Sequence, residues 1–267
     1  MASKAEKADA KSEDGVWETI KVVIQALLIA FFVRLFLFQP FNIPSESMVP
    51  TLRVGDYLFV NKLSYGYGPY SFNFSAGFRD YELFAVNKVP FSGRVLEFGK
   101  PKRGEVVVFK LPSDTKVDYI KRLIGLPGDK IQVREGVLYL NDKAVKREKI
   151  EDFIDTEKNG QRIEQFRETL PNGVSYITHN LWDSSGPGAD NTAAFIVPPG
   201  NYFMIGDNRD NSLDSRFANG VGFVPYENMV GRATILFFSH TDEASFWKFW
   251  NWPWVIRWSR IFSQVQG

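Results

Sequence analysis

Near the amino terminus the sequence reads Val22-Val23-Ile24-Gln25-Ala26-Leu27-Leu28-Ile29-Ala30-Phe31-Phe32-Val33-Arg34-Leu35-Phe36-Leu37-Phe38. A helix needs about 17 to 25 predominantly apolar residues to cross a bilayer, and an arginine near one end can extend its charge to the headgroups. With Trp17 as an interfacial anchor, this pattern predicts one transmembrane helix over residues 17–38. A cleaved secretory signal is disfavoured because residues 38–42 offer no small-residue cleavage site, and a buried core helix is the remaining alternative.

The segments on either side of this stretch indicate its orientation. Four lysines precede it, and no lysine or arginine occurs between residues 35 and 52. Because positive charge favours the cytoplasmic side, the amino terminus is expected in the cytoplasm and the rest of the chain outside it. Residues 1–16 are rich in Ala, Lys, Asp and Glu, which predicts a disordered cytoplasmic tail.

Composition narrows the possible functions. The 267-residue chain has a formal net charge of +1 and no long basic run, so a nucleic-acid partner is not expected. It has no cysteine and only two histidines, His179 and His240. Thiolate chemistry is therefore excluded and a histidine-based metal site is disfavoured, so we expect neither a metal nor a cofactor. Both histidines are predicted to lie on the surface.

The sequence after the apolar stretch has the pattern of a β protein. Short runs rich in Val, Ile, Tyr and Phe are bounded by Gly, Pro or Asp, and Glu135-Gly136 lies between two of them as a hairpin turn. No βαβ alternation and no repeat is present, so the predicted class is mostly β, with a membrane-anchored sheet or barrel-like domain. The predicted strands span residues 54–63, 104–111, 117–126, 131–134, 137–140, 195–197, 202–205 and 229–238.

Composition also suggests the domain boundaries. The main β domain is expected over residues 39–130 and 196–240, with a smaller β-containing insertion over residues 131–195. Residues 241–267 form a tail rich in tryptophan, which favours the membrane interface but also fills cores. We favour an interfacial segment. Its tryptophans are Trp247, Trp250, Trp252, Trp254 and Trp258.

Directly after the apolar stretch the sequence reads Pro44-Ser45-Glu46-Ser47-Met48-Val49-Pro50-Thr51-Leu52. Serine between prolines is usual in turns, and the G-x-S-x-G motif of a nucleophile elbow is absent. A buried lysine can replace histidine as the base if burial lowers its pKa. Lys121 lies within an apolar predicted strand, on the same face as Tyr119 and Leu123, although a charge that protects a sheet edge has the same pattern.

Four segments together resemble the bacterial type I signal peptidases, in the order of that family and behind a membrane anchor. They are residues 44–52, 103–109, 118–129 and 206–216. The resemblance covers residues 33–131 and 196–238. One position departs from the family pattern, because Glu46 replaces the small residue that usually separates the two serines, and its carboxylate is expected to face the solvent.

The resemblance implies a serine endopeptidase that removes signal peptides after small residues. Ser47 is the implied nucleophile and Lys121 its base, and Ser212 orients the lysine amine. The Ser45 hydroxyl and the Ser47 backbone N–H form the implied oxyanion hole, while Asp214 and Arg216 support the site as an ion pair. The implied residues of two shallow apolar substrate pockets are Phe41, Ile43, Pro44, Met48, Val108, Tyr119 and Ile120.

These implications give the expected partners and location. The partners are secretory preproteins and the lipid bilayer, and the catalytic domain lies on the periplasmic or extracytoplasmic side of a bacterial plasma membrane. Three alternatives remain. They are a specialised relative that processes pilin or conjugation proteins, a silent membrane-tethered peptide-binding module, and a self-cleaving repressor, which would need a DNA-binding domain that is not evident before Ser47.

Overall fold

The structure is a computed structural model of the 267-residue chain. It describes residues 3–72, 74–78, 81–86, 88–90, 93–155, 160–180, 189–217, 219–241 and 250–266. The side chains of residues 3–15, 74–78 and 81–86 are not included in that description. Trp247, residues 1–2 and parts of the insertion, to which the predictions above extend, lie outside the described residues.

A long helix, α1, extends from Ser3 to Phe32 and continues as a π-helical turn over Val33–Leu37. The part that is long and apolar enough to cross a membrane is Val16–Leu37, and none of it is buried within the protein. The transmembrane prediction over residues 17–38 agrees with this segment, except that Phe38 is already extended. The buried core helix is excluded because these apolar side chains face outward.

The amino-terminal residues differ from the predicted disordered tail, since α1 is helical from Ser3 onward. Ala, Lys and Glu have high helix propensity. Forming the first turn of a helix is unfavourable, whereas adding residues to an existing helix is not. The apolar helix supplies that first turn, so the polar residues before it extend a helix that has already formed.

Seventeen strands lie within the part of the chain that the structure describes. In chain order they are β1 (Phe38–Asn42), β2 (Asp56–Asn61), β3 (Phe74–Phe78), β4 (Tyr81–Val86), β5 (Val106–Leu111), β6 (Asp114–Gly125), β7 (Lys130–Arg134), β8 (Val137–Leu140), β9 (Lys143–Ala144), β10 (Lys146–Lys149), β11 (Phe153–Asp155), β12 (Gln161–Thr169), β13 (Ser175–Asn180), β14 (Phe195–Ile196), β15 (Asn201–Ile205), β16 (Val224–Pro225) and β17 (Met229–Ser239). Each predicted strand corresponds to one of these, and the mostly β class is confirmed.

The largest sheet contains seven strands in the order β1-β2-β17-β5-β6-β15-β16. All of its pairings are antiparallel. The inner half of β6 is continuously buried, as expected where a sheet is covered on both faces. Strand β1 lies at one edge, so the chain passes from the helical segment directly into this sheet.

The insertion forms two smaller sheets, which are β14-β7-β8-β9 and a group in which β12 pairs with β10, β11 and β13. The β7-β8 hairpin turns at Glu135 and Gly136, both with positive φ, as its sequence predicts. The polar strands β10 to β13 were not predicted individually. Their apolar residues do not alternate clearly, so the local sequence does not indicate strands. These segments are extended because they pair with one another.

The carboxy-terminal tail packs back onto the main sheet. Short helical turns occur at Trp252–Val255 and Trp258–Arg260, and isolated bridges join Ile256 to His240 and Gln264 to Ile235. Val265 belongs to the same core as Met48 and Leu52. The tail is therefore held to the domain by its aliphatic residues and by arginines, since Arg260 forms an ion pair with the buried Asp56 and Arg257 donates to the Val54 and His240 carbonyls at 2.8 Å.

Candidate active site

The segment that carries Ser47 lies between β1 and β2. Met48 and Leu52 are completely buried in the core, and the Leu52 N–H donates to the Met48 carbonyl at 2.9 Å. These two apolar side chains fix the turn by packing into the core of the domain. Ser47 is consequently held at the surface of the core with only 8% of its area exposed.

Strand β6 positions Lys121, which lies opposite Val107 on β5. The Lys121 side chain is buried, and its Nζ lies 2.5 Å from Ser47 Oγ and 3.1 Å from the Ile120 carbonyl. The Tyr119 ring lies on the same side of the strand, with its centroid 5.3 Å from Nζ. A lysine amine and a serine hydroxyl that are 74 residues apart in sequence are thus in direct contact.

Burial lowers the pKa of Lys121 from 10.5 to about 8. The negative charges of Asp214 and Asp207 oppose this shift, and the positive charge of Arg216 adds to it. A pKa near 8 leaves a useful fraction of the amine unprotonated at neutral pH. The site therefore contains a hydroxyl and an amine of lowered pKa in hydrogen-bond contact, which is the arrangement that acyl transfer requires of a nucleophile and its base.

A cleft of about 360 Å³ opens beside this pair. Four of the seven predicted pocket residues line it, namely Phe41, Pro44, Tyr119 and Ile120. The other three, Ile43, Met48 and Val108, are instead core residues with at most 2% of their area exposed. Sequence reasoning did not assign Val117, Asp118, Asn211 and Leu213 to the lining.

Ser45 also lines the cleft, and its Oγ lies 3.4 Å from Ser47 Oγ. This places a second hydroxyl beside that of Ser47, and the oxyanion-hole role of Ser45 stays a prediction. Glu46, between the two serines, lines the cleft rather than facing only bulk solvent. The Asn211 side-chain amide donates to its carboxylate at 3.2 Å, and the Asn208 side-chain amide donates to its carbonyl at 3.1 Å.

Asp214 and Arg216 form the predicted ion pair, and both are buried. Arg216 donates twice to the carboxylate at 2.9 Å, and the Gly206 N–H adds a bond of 3.0 Å. Burial alone would raise the pKa of the Asp214 carboxyl, but Arg216 and these hydrogen bonds hold it below its ordinary value. The pair therefore stabilises the loop of residues 206–216 as a charge-assisted unit.

The predicted hydrogen bond between Ser212 and Lys121 is not formed. Ser212 Oγ is buried without a hydrogen-bond partner of suitable geometry among the described residues, although it contributes to the lowered pKa of Asp214. A Cβ on Gly206 would lie 2.2 Å from Ser212 Oγ and 2.5 Å from the Ser47 carbonyl oxygen, so glycine is needed there. Ser212 thus packs at the centre of the site, but the structure does not join it to the lysine.

A second buried ion pair supports the segment that carries Ser47. Arg122 donates to Asp207 at 2.7 and 2.8 Å, and Thr51 donates to the same carboxylate at 2.5 Å. The neighbouring Asn208 N–H donates to the Ser47 carbonyl at 3.2 Å. Sequence reasoning missed this pair, although Arg122 follows Lys121 in a strand and must therefore face the opposite side of the sheet.

The prediction of two surface histidines is wrong for His179. This residue lies on β13 and is fully buried, and its backbone bonds to Asp207 and Arg209 at 2.9 and 3.0 Å. Burial lowers the pKa of His179 to about 4, so the ring is neutral at neutral pH. His240 is half-buried and bonds to the Thr241 carbonyl. His179 therefore joins the insertion to the loop of residues 206–216.

The profile of the family described as "Signal peptidase, peptidase S26" matches residues 16–238. Signal peptidase I of Rickettsia canadensis is 38% identical over 264 residues, which covers 93% of this chain and 92% of the relative. The chain belongs to the signal peptidase I family. Signal peptidase I of Rickettsia prowazekii is 40% identical over 254 residues, covering 90% of each chain.

A crystal structure of a signal peptidase I from Enterococcus faecalis is 28% identical, covering 50% of this chain and 96% of that chain, with a TM-score of 0.30. Members of the family are serine peptidases that remove signal peptides from preproteins. Family membership and the apolar amino-terminal helix together make this a membrane-anchored peptidase with preprotein substrates.

Proposed function

We propose that Ser47 and Lys121 form the catalytic pair. The single observation that carries this proposal is the 2.5 Å contact between Ser47 Oγ and a lysine amine whose pKa is lowered to about 8. The neutral amine accepts the Ser47 proton as Oγ bonds to the scissile carbonyl carbon. As the C–N bond breaks, the ammonium returns that proton to the leaving amine, leaving an ester on Ser47.

Hydrolysis of this acyl-enzyme reverses the same proton transfers. Lys121 accepts a proton from water as the water oxygen bonds to the ester carbon, and the proton then passes to Ser47 Oγ as the ester breaks. Ser45 Oγ and the Ser47 N–H stabilise the negative charge that develops on the carbonyl oxygen in both steps. This sequence of steps uses only side chains, backbone and water.

The cleft accounts for small residues before the cut. An extended peptide laid along Phe41 and Tyr119 would pair its main chain with the protein, and its alternate side chains would enter the apolar lining. Ile43, Met48 and Val108 are core residues and do not line the cleft, so the pockets have fewer apolar walls than the sequence predicts. Alanine fits such pockets better than larger side chains do.

The lowered pKa of Lys121 leads to a pH prediction. Since only the neutral amine accepts a proton, kcat/KM for preprotein cleavage should rise about tenfold per unit as pH increases toward 8, and then level off. Stopped assays in a constant-ionic-strength buffer series would measure this. A profile that is flat between about pH 6 and 9 would contradict Lys121 as the base.

We also propose a single-pass orientation in a bacterial plasma membrane, with the amino terminus in the cytoplasm and the catalytic domain outside. The lysines before the span and the absence of Lys and Arg in residues 35–52 support it. The chain has no cysteine, so the protein has no native thiol that would react with a maleimide. A single cysteine introduced at Ser12 reports the side of the membrane on which the amino terminus lies, and one introduced at exposed Lys143 reports the side on which the β domain lies. Impermeant maleimide applied to intact cells should label only the second variant, and labelling of only the first would reverse the orientation.

The tail provides a second contact with the lipid. Trp254 and Phe262 are 80% and 78% exposed, and Trp258 is also exposed, whereas neighbouring Val255 and Ile256 are buried. Aromatic rings held outward in this way are typical of a membrane interface. In vesicles with brominated lipid chains, replacing Trp254 and Trp258 with phenylalanine should lower the fraction of tryptophan emission that the lipid quenches. An unchanged quenched fraction would argue against this contact.

A further inference from the structure

The end of the membrane helix is held by two polar side chains of the β domain. Lys62 Nζ donates to the Leu35 carbonyl at 3.3 Å, and Tyr67 Oη donates to the Phe36 carbonyl at 2.9 Å. The last carbonyls of a helix have no partner within the helix, and leaving them unpaired at the edge of a bilayer is costly. Lys62 and Tyr67 therefore satisfy acceptors that the helix itself cannot.

The same residues are fixed firmly in the domain. Lys62 has 1% of its area exposed, and its second bond, to the Ser71 carbonyl, is 2.6 Å long. The rings of Phe36, Tyr67 and Phe72 pack together with centroid distances of 5.1 to 6.1 Å. We refer to Lys62, Tyr67 and Phe72 as the helix clamp.

Very little chain separates the clamp from the cleft. The helical segment ends at Leu37, and Phe41, which lines the cleft, is the fourth residue of β1. Four extended residues span only about 13 Å, and β1 is paired along its whole length with β2. With one end of this strand held by the clamp and the other in the cleft, the cleft has a fixed height above the end of the membrane helix.

We propose that the helix clamp is a specificity determinant that sets which bond of a preprotein is cleaved. The apolar segment of a preprotein is held by the same bilayer, and each extended residue beyond it advances by about 3.3 Å. A cleft of fixed height therefore selects one spacing between the apolar segment and the scissile bond. The inference rests on the proposed cleavage at Ser47, since it requires the bond to be cut in this cleft.

The clamp makes this selection strict because its loss would let the domain tilt. Without the two donors, the helix end is joined to the domain only by its continuity with β1 and by the packing of the Phe36 ring. The helix could then tilt relative to the sheet, and the cleft would sample more than one height. A displacement of about 1 Å at a reacting centre can cost about 100-fold in rate, so a fixed height discriminates strongly between spacings. A mobile domain would accept neighbouring spacings.

The test uses the full-length peptidase in vesicles with a set of preproteins in which zero to three residues are inserted between the apolar segment and the cleavage site. The wild-type protein should prefer one spacing by about tenfold or more. Tyr67→Phe removes one hydroxyl and keeps the ring, and should reduce that preference at least about threefold, while Lys62→Met and the double variant should reduce it further. Tyr139→Phe, on strand β8 of the insertion, is the matched control and should leave the preference unchanged.

A short water-soluble peptide with the same cleavage site separates specificity from catalysis. Its cleavage by Tyr67→Phe should equal that by the wild-type protein, because the clamp does not contact the reacting groups. An unchanged spacing preference in Tyr67→Phe with full peptide activity would overturn the proposal, whether or not Lys62→Met folds. If Ser47→Ala still cleaved the peptide, the proposed catalytic pair would fail instead.

Discussion

Ser47→Ala should abolish preprotein processing, with a loss of at least about 1000-fold in kcat/KM, because it removes the attacking oxygen that lies in contact with the Lys121 amine. Lys121→Met should cause a loss of similar size, since the serine would have no base to accept its proton. The two losses should not add in the double variant, because both residues act in the same step. Cleavage of a purified preprotein, followed over time, measures all three.

Ser45→Ala serves as a graded comparison in the same assay. It removes one proposed donor to the oxyanion and leaves the catalytic pair in place, so kcat should fall about 100-fold while KM changes little. A covalent serine-directed label located on Ser47 in the wild-type protein and in Ser45→Ala would establish that both still present the nucleophile. An unchanged turnover in Ser45→Ala would remove this residue from the oxyanion hole.

Loss of activity in Lys121→Met should not be caused by unfolding. The folded protein lowers the pKa of Lys121 from 10.5 to about 8. Keeping this amine protonated in the folded state at neutral pH therefore reduces the free energy of unfolding by about 3 kcal/mol. Replacement with methionine removes that cost, which is fully present below pH 8 and disappears as pH rises toward 10.5. The variant should therefore melt at a higher temperature than the wild-type protein at pH 7, with the difference vanishing in alkaline buffer.

Asp214→Asn should cause the largest loss of stability among single substitutions near the site. It removes the buried negative charge that Arg216 faces, and breaking such a pair typically costs about 3 to 5 kcal/mol. For a domain of this size the melting temperature should fall by about 6 °C or more. Cleavage should also fall, because the loop of residues 206–216 contacts the Ser47 carbonyl through Asn208.

The matched control is Asp142→Asn, which makes the same chemical change in the exposed pair between Lys130 and Asp142. Exposed pairs contribute about 0 to 1 kcal/mol, and asparagine tolerates the positive φ of this position. Its melting temperature should be close to that of the wild-type protein. Equal effects of the two substitutions would show that the Asp214–Arg216 pair does not stabilise the fold.

Much of the fold follows from local pattern. A run of apolar residues long enough to cross a bilayer predicts the helix, and short runs rich in β-branched and aromatic residues predict β2, β5, β6, β15 and β17. The strands of the insertion were less predictable, because β10 to β13 are polar and depend on pairing with one another. The helical residues 3–16 were missed since their composition suits both a charged tail and the extension of an existing helix.

The site was predictable in its residue types but less so in its geometry. Ser47 and Lys121 were identified through resemblance, and the structure brings them into contact. The lining of the cleft was only partly predicted, because Ile43, Met48 and Val108 are apolar like Phe41 and Tyr119, and sequence does not distinguish a pocket wall from the core behind it. Burial of His179 was missed because its neighbours in sequence, Thr178 and Asn180, are polar and suggest an exposed position.

The amino-acid sequence by itself determined the anchor, most strands of the main sheet and the hydroxyl and amine groups available for catalysis, because these depend on short-range pattern and side-chain chemistry. Only the tertiary structure decided the pKa of Lys121, the partners of Glu46 and the tie between Lys62 and the membrane helix. Each of these depends on desolvation or on contacts between segments distant in sequence. Such quantities arise when several strands are packed together, and no single segment of the chain contains them.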